Sequence, residues 1–256
     1  MAHLRCDFVA DSLGLATSMT VLLPQPSRTR IGVDGADGPA GDDPPPVLYL
    51  LHGLSDDDTA WTRNTSLERY TEQLGLAVVM PQVHRSFYTD QAYGGNYRTF
   101  LTRELPDVVH RFFRVATEPE RTFVAGLSMG GYGALGWALS EPDRFAAAAN
   151  LSGALDVPEW ARGPGRAEDP RIWERIFDGD EPLDVFALLE RLDDPAVAPA
   201  LYVCCGTGDP LLDGSTRFAA AAAARGLAVT SSFTAGVHEW GYWDARIRDV
   251  LAWLPL

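Results

Sequence analysis

The sequence is poor in cysteine and contains no long apolar run. Its 256 residues include three cysteines. Two of these, Cys204 and Cys205, are adjacent, and three cysteines in this arrangement do not make a disulfide framework. We therefore expect the protein in a reducing compartment. No apolar run approaches the roughly 18 residues that a membrane-spanning helix needs. The first residues, MAHLRCDFVADSLG, also lack the charged-then-apolar pattern of a secretory signal. We therefore expect a cytoplasmic protein without a membrane partner.

Positive charge is scarce as well. The chain carries 21 basic against 35 acidic side chains, a formal net charge of −14. Such a charge repels phosphate backbones, so nucleic acid is not an expected partner. The sequence has no G-x-x-x-x-G-K-[ST], no H-E-x-x-H and no C-x-x-C, and its glycines do not fit a dinucleotide-binding motif. We expect neither a cofactor nor a metal.

The pattern along the chain predicts a single α/β domain over residues 1–256. Hydrophobic content of 46% and charged content of 22% are ordinary for a globular enzyme. Apolar strand signals alternate with helical periodicity, which predicts a mostly parallel central sheet with helices on both faces. The expected strands after the first are Val47–Leu51, Ala77–Pro81, Thr122–Ala125, Ala146–Leu151, Ala200–Cys205 and Val229–Phe233.

Four further segments carry specific expectations. Thr17–Leu23 is expected to be an edge strand. A helix over Thr99–Phe113 should turn Leu101, Leu105, Val108 and Phe112 toward the sheet, because they recur at helical spacing. Residues 34–46, rich in Gly, Asp and Pro, should form a mobile loop. Residues 158–198 are expected to be a small inserted lid.

The strongest chemical signal is a serine between glycines where a strand meets a helix. Residues 126–130, Gly-Leu-Ser-Met-Gly, fit G-x-S-x-G and follow the strand that ends at Ala125. In this nucleophile elbow a tight turn forces the serine into a sparsely populated conformation, and glycines leave the necessary room. The alternative, a serine in a phosphate-binding turn, lacks the required motif. We predict Ser128 as the nucleophile.

A nucleophilic serine needs a base, and proteins with this elbow order their residues as Ser, then Asp or Glu, then His. His238 is the one histidine beyond Ser128 and is the predicted base; the alternative is a surface histidine beside Glu239. Asp209 directly follows the strand over residues 200–205, where open α/β sheets carry their sites. It is favoured as the acid over Asp213, one helical turn further on.

Negative charge on a reacting carbonyl needs backbone donors. Met129 provides one N–H at the elbow, and Leu54, after the strand Val47–Leu51, is the candidate for the second. His52 beside it is expected to brace the loop by hydrogen bonding, the alternative being a catalytic base.

Five stretches resemble the esterase-D-type α/β-hydrolases, and among them the small bacterial tributyrin esterases. They are LLHGLSDDDTAW (50–61), YGGNYRTFLTRELP (93–106), GLSMGGYGALGWAL (126–139), CCGTGDPLL (204–212) and AGVHEWGYW (235–243). The resemblance runs from about Val47 to the C-terminus. It implies the α/β-hydrolase fold, Ser128, Asp209 and His238 as the triad, and Leu54 and Met129 as oxyanion donors. The elbow lacks the histidine, and HEW replaces the HSYY, of the related S-formylglutathione hydrolases.

These features predict a serine carboxylesterase that hydrolyses short-chain acyl esters of small molecules. Trp61, Tyr97 and Trp240 are the candidate walls of a compact substrate pocket, although aromatic residues are as often ordinary core. The alternatives are an S-formylglutathione hydrolase or a related acyltransferase, and a non-catalytic binding protein of the same fold. A homo-oligomer is also compatible with the sequence.

Overall fold

An eight-stranded sheet forms the centre of the protein. The structure is a computed structural model, and it describes residues 1–25, 43–162, 170–178 and 181–256. The strands lie in the order β1-β2-β4-β3-β5-β6-β7-β8. Strands β3 to β8 are mutually parallel, β2 is antiparallel to β4, and β1 is antiparallel to β2. Their bounds are β1 Ala2–Ala10, β2 Leu15–Leu23, β3 Val47–Leu51, β4 Ala77–Pro81, β5 Thr122–Leu127, β6 Ala147–Leu151, β7 Ala200–Gly206 and β8 Val229–Thr234.

Ten described α-helices connect and cover the strands. Short 3₁₀ turns at 119–121, 142–144 and 195–197 join some of them. Within the described residues, no helix combines the length and the apolar composition that crossing a bilayer requires. The helices are α1 Ala60–Asn64, α2 Leu67–Thr71, α3 Tyr97–Thr99, α4 Leu105–Phe112, α5 Met129–Ser140, α6 Val157–Arg162, α7 Pro170–Phe177, α8 Val185–Glu190, α9 Leu212–Ala224 and α10 Trp240–Trp253.

The central strands are apolar throughout because helices bury both faces of the sheet. Along β3, Val47, Tyr49 and Leu51 join the core layer that contains α4, α5 and α9. Leu48 and Leu50 point to the opposite layer, with α2 and α10. The predicted mostly parallel sheet with helices on both faces is confirmed, and the chain has the α/β-hydrolase fold.

The N-terminal prediction was wrong in one respect. Thr17–Leu23 lies in β2, which is an inner strand, because β1 pairs along its outer side from Ala2 to Ala10. In β1, residues with partly buried side chains alternate with exposed ones. This period of two is the signature of a half-buried strand at an edge.

The predicted orientation of the helix before β5 was also partly wrong. Leu101 and Leu105 are buried, but Phe112 is 51% exposed and Val109 is buried near the expected place of Val108. A π-turn over Phe100–Glu104 joins α3 to α4. A π-turn contains one extra residue, which rotates the following side chains about the helix axis. A repeat of 3.6 residues counted from Leu101 therefore no longer identifies the buried face.

Two expected irregular segments fall partly outside the described residues. Of the predicted loop 34–46, only residues 43–46 are described, and they lead into β3. Within the predicted insertion 158–198, residues 163–169 and 179–180 lie outside the described ranges, while α6, α7 and α8 are described.

Helix α5 packs against the sheet at the distance that glycine permits. A Cβ atom on Gly130 would lie 2.4 Å from the carbonyl oxygen of Leu51 in β3. We predict that Gly130→Ala lowers the free energy of unfolding by about 2 kcal/mol, because backbone must move to relieve the overlap. Gly241→Ala in α10 is the control: its Cβ would meet Glu239 Oε1 at 3.8 Å. That variant should gain about 0.5 kcal/mol. Equal stability of both variants in urea unfolding would contradict the prediction.

Candidate active site

Ser128 occupies the tight turn between β5 and α5. Its backbone has φ +52° and ψ −117°, a combination that non-glycine residues rarely adopt. The turn is held by neighbouring strands, because the Ser128 N–H donates to the Leu151 carbonyl at 3.0 Å and the Ser128 carbonyl accepts from Ala154 N–H at 3.0 Å. Gly126 leaves the necessary room, since a Cβ there would lie 2.2 Å from the Gly130 carbonyl oxygen.

His238 lies within hydrogen-bonding distance of this serine. It is in the loop between β8 and α10, and its Nε2 is 3.0 Å from Ser128 Oγ. The ring of Trp243 stands at 89° to the imidazole, with ring centres 4.8 Å apart. The aromatic wall restricts the orientation of the imidazole, so Nε2 stays directed at the hydroxyl.

Asp209 completes the hydrogen-bonded chain. It follows β7, and its Oδ2 lies 2.8 Å from His238 Nδ1. An ionised carboxylate accepts the Nδ1–H, which leaves Nε2 unprotonated and able to accept the serine hydroxyl proton. Oδ1 accepts a second bond, from Leu211 N–H at 2.8 Å. Burial alone would raise the pKa of Asp209, but the bonds from His238 and Leu211 outweigh it and lower that pKa.

Asp213, the alternative acid, lies elsewhere. Its side chain is exposed in the first turn of α9 and pairs with Arg217 at 2.7 Å. The structure therefore brings Ser128, His238 and Asp209 together and leaves Asp213 out.

Leu54 and Met129, the predicted oxyanion donors, both line a cavity that also contains Ser128 and His238. Met129 is the first residue of α5, so its N–H is one of the donors that a helix start leaves unpaired. Within the described part of the chain, no backbone carbonyl accepts a hydrogen bond from either N–H. Backbone donors without a carbonyl partner are the kind of group that stabilises a negatively charged oxygen.

His52 braces the loop that carries Leu54. It is buried, its Nδ1 lies 2.7 Å from the Gly53 carbonyl oxygen, and its Nε2 accepts the Val83 N–H at 3.1 Å. A carbonyl accepts and an N–H donates, so the proton must reside on Nδ1 and the ring is neutral. Burial lowers the pKa of His52 despite the bond to Gly53. The ring is fully engaged and does not reach Ser128 in the role of a base.

Two cavities meet at Ser128. The smaller, about 160 Å³, has mostly apolar walls that come from the strand ends and from the insertion, namely Phe87, Ala154, Trp160, Trp173 and Leu211. The larger, about 780 Å³, contains charged and aromatic side chains, namely Asp56, Arg85, Glu239, Trp240 and Trp243. Ser128 and His238 line both cavities.

The structure separates the three predicted pocket residues. Trp240 lines the larger cavity. Trp61 is fully buried, donates to the Leu51 carbonyl at 3.2 Å and packs under Trp240, so it is core and the pocket assignment is corrected. Tyr97 is also buried, with its ring near that of His84, and lines neither cavity.

Sequence reasoning missed Trp160 and Trp173, which belong to α6 and α7. Their only signal was the position of large aromatic residues within helical pieces of the insertion. In the structure Trp173 stacks on Phe177 and packs at a tilt against Phe87. Nothing in the local pattern shows which way such an insertion folds back, so it could not place these rings over Ser128.

The fold and the Ser-His-Asp arrangement define an α/β-hydrolase of the serine type. A family model described as putative esterase matches residues 15–254, and the chain belongs to this esterase family. The chain is thus a carboxylic ester hydrolase.

Individual relatives are similar over nearly the full chain. An acetyl esterase of Caldicellulosiruptor saccharolyticus is 26% identical, covering 99% of this chain and 98% of its own. The substrate-bound structure of FphF, a fluorophosphonate-binding serine hydrolase of Staphylococcus aureus, is 29% identical with a TM-score of 0.85, covering 99% and 98%. The S-formylglutathione hydrolase FrmB of Staphylococcus aureus is 30% identical with a TM-score of 0.82, over the same shares.

The neutral state of His52 makes a prediction about pH. Because burial lowers its folded-state pKa, the unfolded chain binds more protons than the folded chain below about pH 6.5, and stability falls as the pH drops. One such group contributes a slope of at most about 1.4 kcal/mol per pH unit. We expect His52→Gln to flatten the fall in unfolding free energy between pH 7 and pH 5. His110, whose pKa is also lowered, is present in both proteins and cancels. An unchanged slope would contradict the prediction, because it would mean that folding does not lower the pKa of His52.

Proposed function

We propose that the protein hydrolyses short-chain acyl esters through an acyl-enzyme on Ser128. The observation that carries the proposal is the continuous chain of hydrogen bonds from Asp209 through His238 to Ser128, at 2.8 and 3.0 Å. This chain ends where a small, mostly apolar cavity meets a larger one that contains charged and aromatic side chains.

Each of the three side chains has a distinct task. Ser128 attacks the ester carbonyl while His238 Nε2 takes the hydroxyl proton, and the same imidazolium then protonates the departing alcohol. Asp209 stays ionised, because its hydrogen bonds lower its pKa, and stabilises the imidazolium. Water, activated by His238, then releases the acid and restores the serine.

The backbone N–H groups of Leu54 and Met129 are the proposed donors to the tetrahedral oxyanion. Each such donor is typically worth about 3 kcal/mol of transition-state stabilisation. The brace formed by His52 supports this role, because it fixes the peptide that precedes Leu54.

The smaller cavity is the proposed acyl pocket. A water molecule occupies about 30 Å³ in the liquid, so a cavity of about 160 Å³ accepts only a few carbon atoms. Acetyl to butyryl groups fit this space, and Trp160 and Trp173 stand where a longer chain would continue. The helices α6 and α7 that supply these rings support the proposal that residues 158–198 act as a lid on a single domain.

Removing the nucleophile tests the core of the proposal. We expect Ser128→Ala to lower the turnover of p-nitrophenyl acetate and butyrate by at least about a thousandfold, because no other group can form the acyl-enzyme. A fluorophosphonate probe should label the wild type and leave the variant unlabelled. Ser140→Ala is the matched control, since that hydroxyl bonds to the Gly136 carbonyl at the far end of α5. A wild type that is neither labelled nor active would favour a non-catalytic binding protein.

Widening the acyl pocket tests the chain-length preference. Trp173 packs on Phe87 with ring centres 5.0 Å apart, so Trp173→Ala or the milder Trp173→Leu removes one wall. We expect kcat/KM for octanoate relative to butyrate to rise about tenfold, in line with the binding of extra methylenes. Trp253→Ala is the control, because that ring packs on Tyr202 away from both cavities. Wild-type rates that peak above butyrate, or variants with an unchanged profile, would contradict the assignment.

S-formylglutathione is the second candidate substrate. Similarity to the staphylococcal S-formylglutathione hydrolase supports it, and the larger cavity of about 780 Å³ has room for a bulky leaving group. Against it stand the carboxylates of Asp56 and Glu239, which line that cavity and would repel the two carboxylates of glutathione. A kcat/KM for S-formylglutathione more than a hundredfold above that for p-nitrophenyl acetate would establish it.

Product analysis with added alcohols distinguishes acyl transfer to an alcohol from hydrolysis. A cytoplasmic location, consistent with the free thiols, completes the proposal.

A further inference from the structure

In the part of the chain that the structure describes, no strand lies against the outer edge of β1. Within the described ranges, β1 pairs with β2 alone, through nine consecutive residues and without a bulge. Proteins usually protect such an edge with proline, lysine, a bulge or a very short strand. The segment AHLRCDFVA has none of these, and its two charged side chains, Arg5 and Asp7, are of opposite sign, so its edge can accept a strand with complementary charges.

The sequence of β1 is complementary to itself when it is read in the opposite direction. In a symmetric antiparallel pair formed at an edge, the two-fold axis is normal to the sheet, so facing residues must point to the same side. With the axis at Cys6, Arg5 faces Asp7 of a second copy and Leu4 faces Phe8 of that copy. Opposite charges and apolar side chains then meet on their own faces of the sheet.

Neighbouring registers lack this complementarity. An axis at Arg5 would place the two copies of that arginine directly opposite each other, and an axis at Asp7 would do the same with two carboxylates. Like charges directly opposite destabilise a strand pair. Both side chains are exposed, 54% for Arg5 and 68% for Asp7, and they already lie 3.4 Å apart within one chain. Two copies would join them into an alternating group of four charges.

In this register the aromatic pair beside β1 does not meet its own copy. Phe8 packs on Phe112 of α4, with ring centres 6.4 Å apart. In the register centred on Cys6, the two copies of Phe8 are offset by four residues, about 13 Å along the strands. The two Phe8–Phe112 pairs therefore lie at different positions along the seam. Phe112, an apolar ring that is 51% exposed in one chain, then lies along the seam.

We propose that two copies of the protein join through β1, in the register centred on Cys6, into one continuous sheet of twice eight strands. Backbone hydrogen bonds and the apolar face around Leu4, Phe8 and Phe112 supply the affinity, while Arg5 and Asp7 select the register. The seam lies at one end of the sheet and Ser128 follows β5 in its middle, so each copy keeps its own site. The proposal therefore stands or falls independently of the esterase chemistry.

Cross-linking through Cys6 tests the register of the two β1 strands. Cys6 is the partly exposed thiol of the three, since Cys204 and Cys205 are buried. Directly opposed Cα atoms in an antiparallel pair lie about 4.5–5.5 Å apart, within the range that a disulfide accepts. Mild oxidation of the wild type with copper phenanthroline should give a covalent dimer that Cys6→Ser abolishes. A dimer that does not cross-link through Cys6 would overturn the register.

Reversing the charges of Arg5 and Asp7 tests the interface. Asp7→Arg and Arg5→Asp each place like charges opposite each other twice per dimer, so sedimentation should show at least about tenfold weaker self-association. Mixing the two variants restores opposite charges and should restore a dimer, now heteromeric. Asp11→Arg, the same charge change at an exposed residue just beyond the strand, is the control. Because Arg5 also contacts Ser18, thermal unfolding of each variant is compared first. A monomeric wild type at about 100 µM, well above the dissociation constants of specific dimers, would overturn the proposal, as would a dimer that is insensitive to Asp7→Arg.

Discussion

The strained backbone of Ser128 is the constraint on which the site depends. Its φ of +52° persists because three parallel strands grip the turn: β5 leads into it, β6 accepts its N–H through Leu151, and β3 lies against Gly130. Any side chain at Gly126 or Gly130 would separate these layers. Packing of the sheet against α5 therefore supplies the energy that holds the hydroxyl clear of the backbone.

Two buried polar groups near that turn differ in charge: one is ionised and the other is neutral. Asp209 is buried but accepts two hydrogen bonds, so its carboxylate remains charged. His52 is buried between one donor and one acceptor, so its ring remains neutral. The same desolvation acts on both, and the hydrogen-bond partners decide the outcome. Asp209 is hydrogen-bonded to His238, and His52 fixes the loop beside Ser128.

Much of the fold and the triad could be predicted from the sequence because their signals are local. Glycines two positions on either side of Ser128 predict the turn, and continuous apolar runs predict the buried strands. The order of residue types along the chain identifies His238. Predictions failed where a distant or irregular feature intervened. The π-turn before α4 moved Phe112 to the surface, and β1 converted the expected edge strand into an inner one.

By itself, the amino-acid sequence determined the class of chemistry, since a serine in an elbow, an acid at a strand end and a later histidine follow from residue type and order. Only the tertiary structure decided which aromatic rings line the cavities at Ser128. Trp61 and Trp173 are the same residue type, and each lies in a short helical segment. Trp61 is nevertheless buried beneath the site, whereas Trp173 lines the small cavity. The reason is physical: a ring buries equally well in the core or against a ligand space, and only the path of the surrounding chain distinguishes the two.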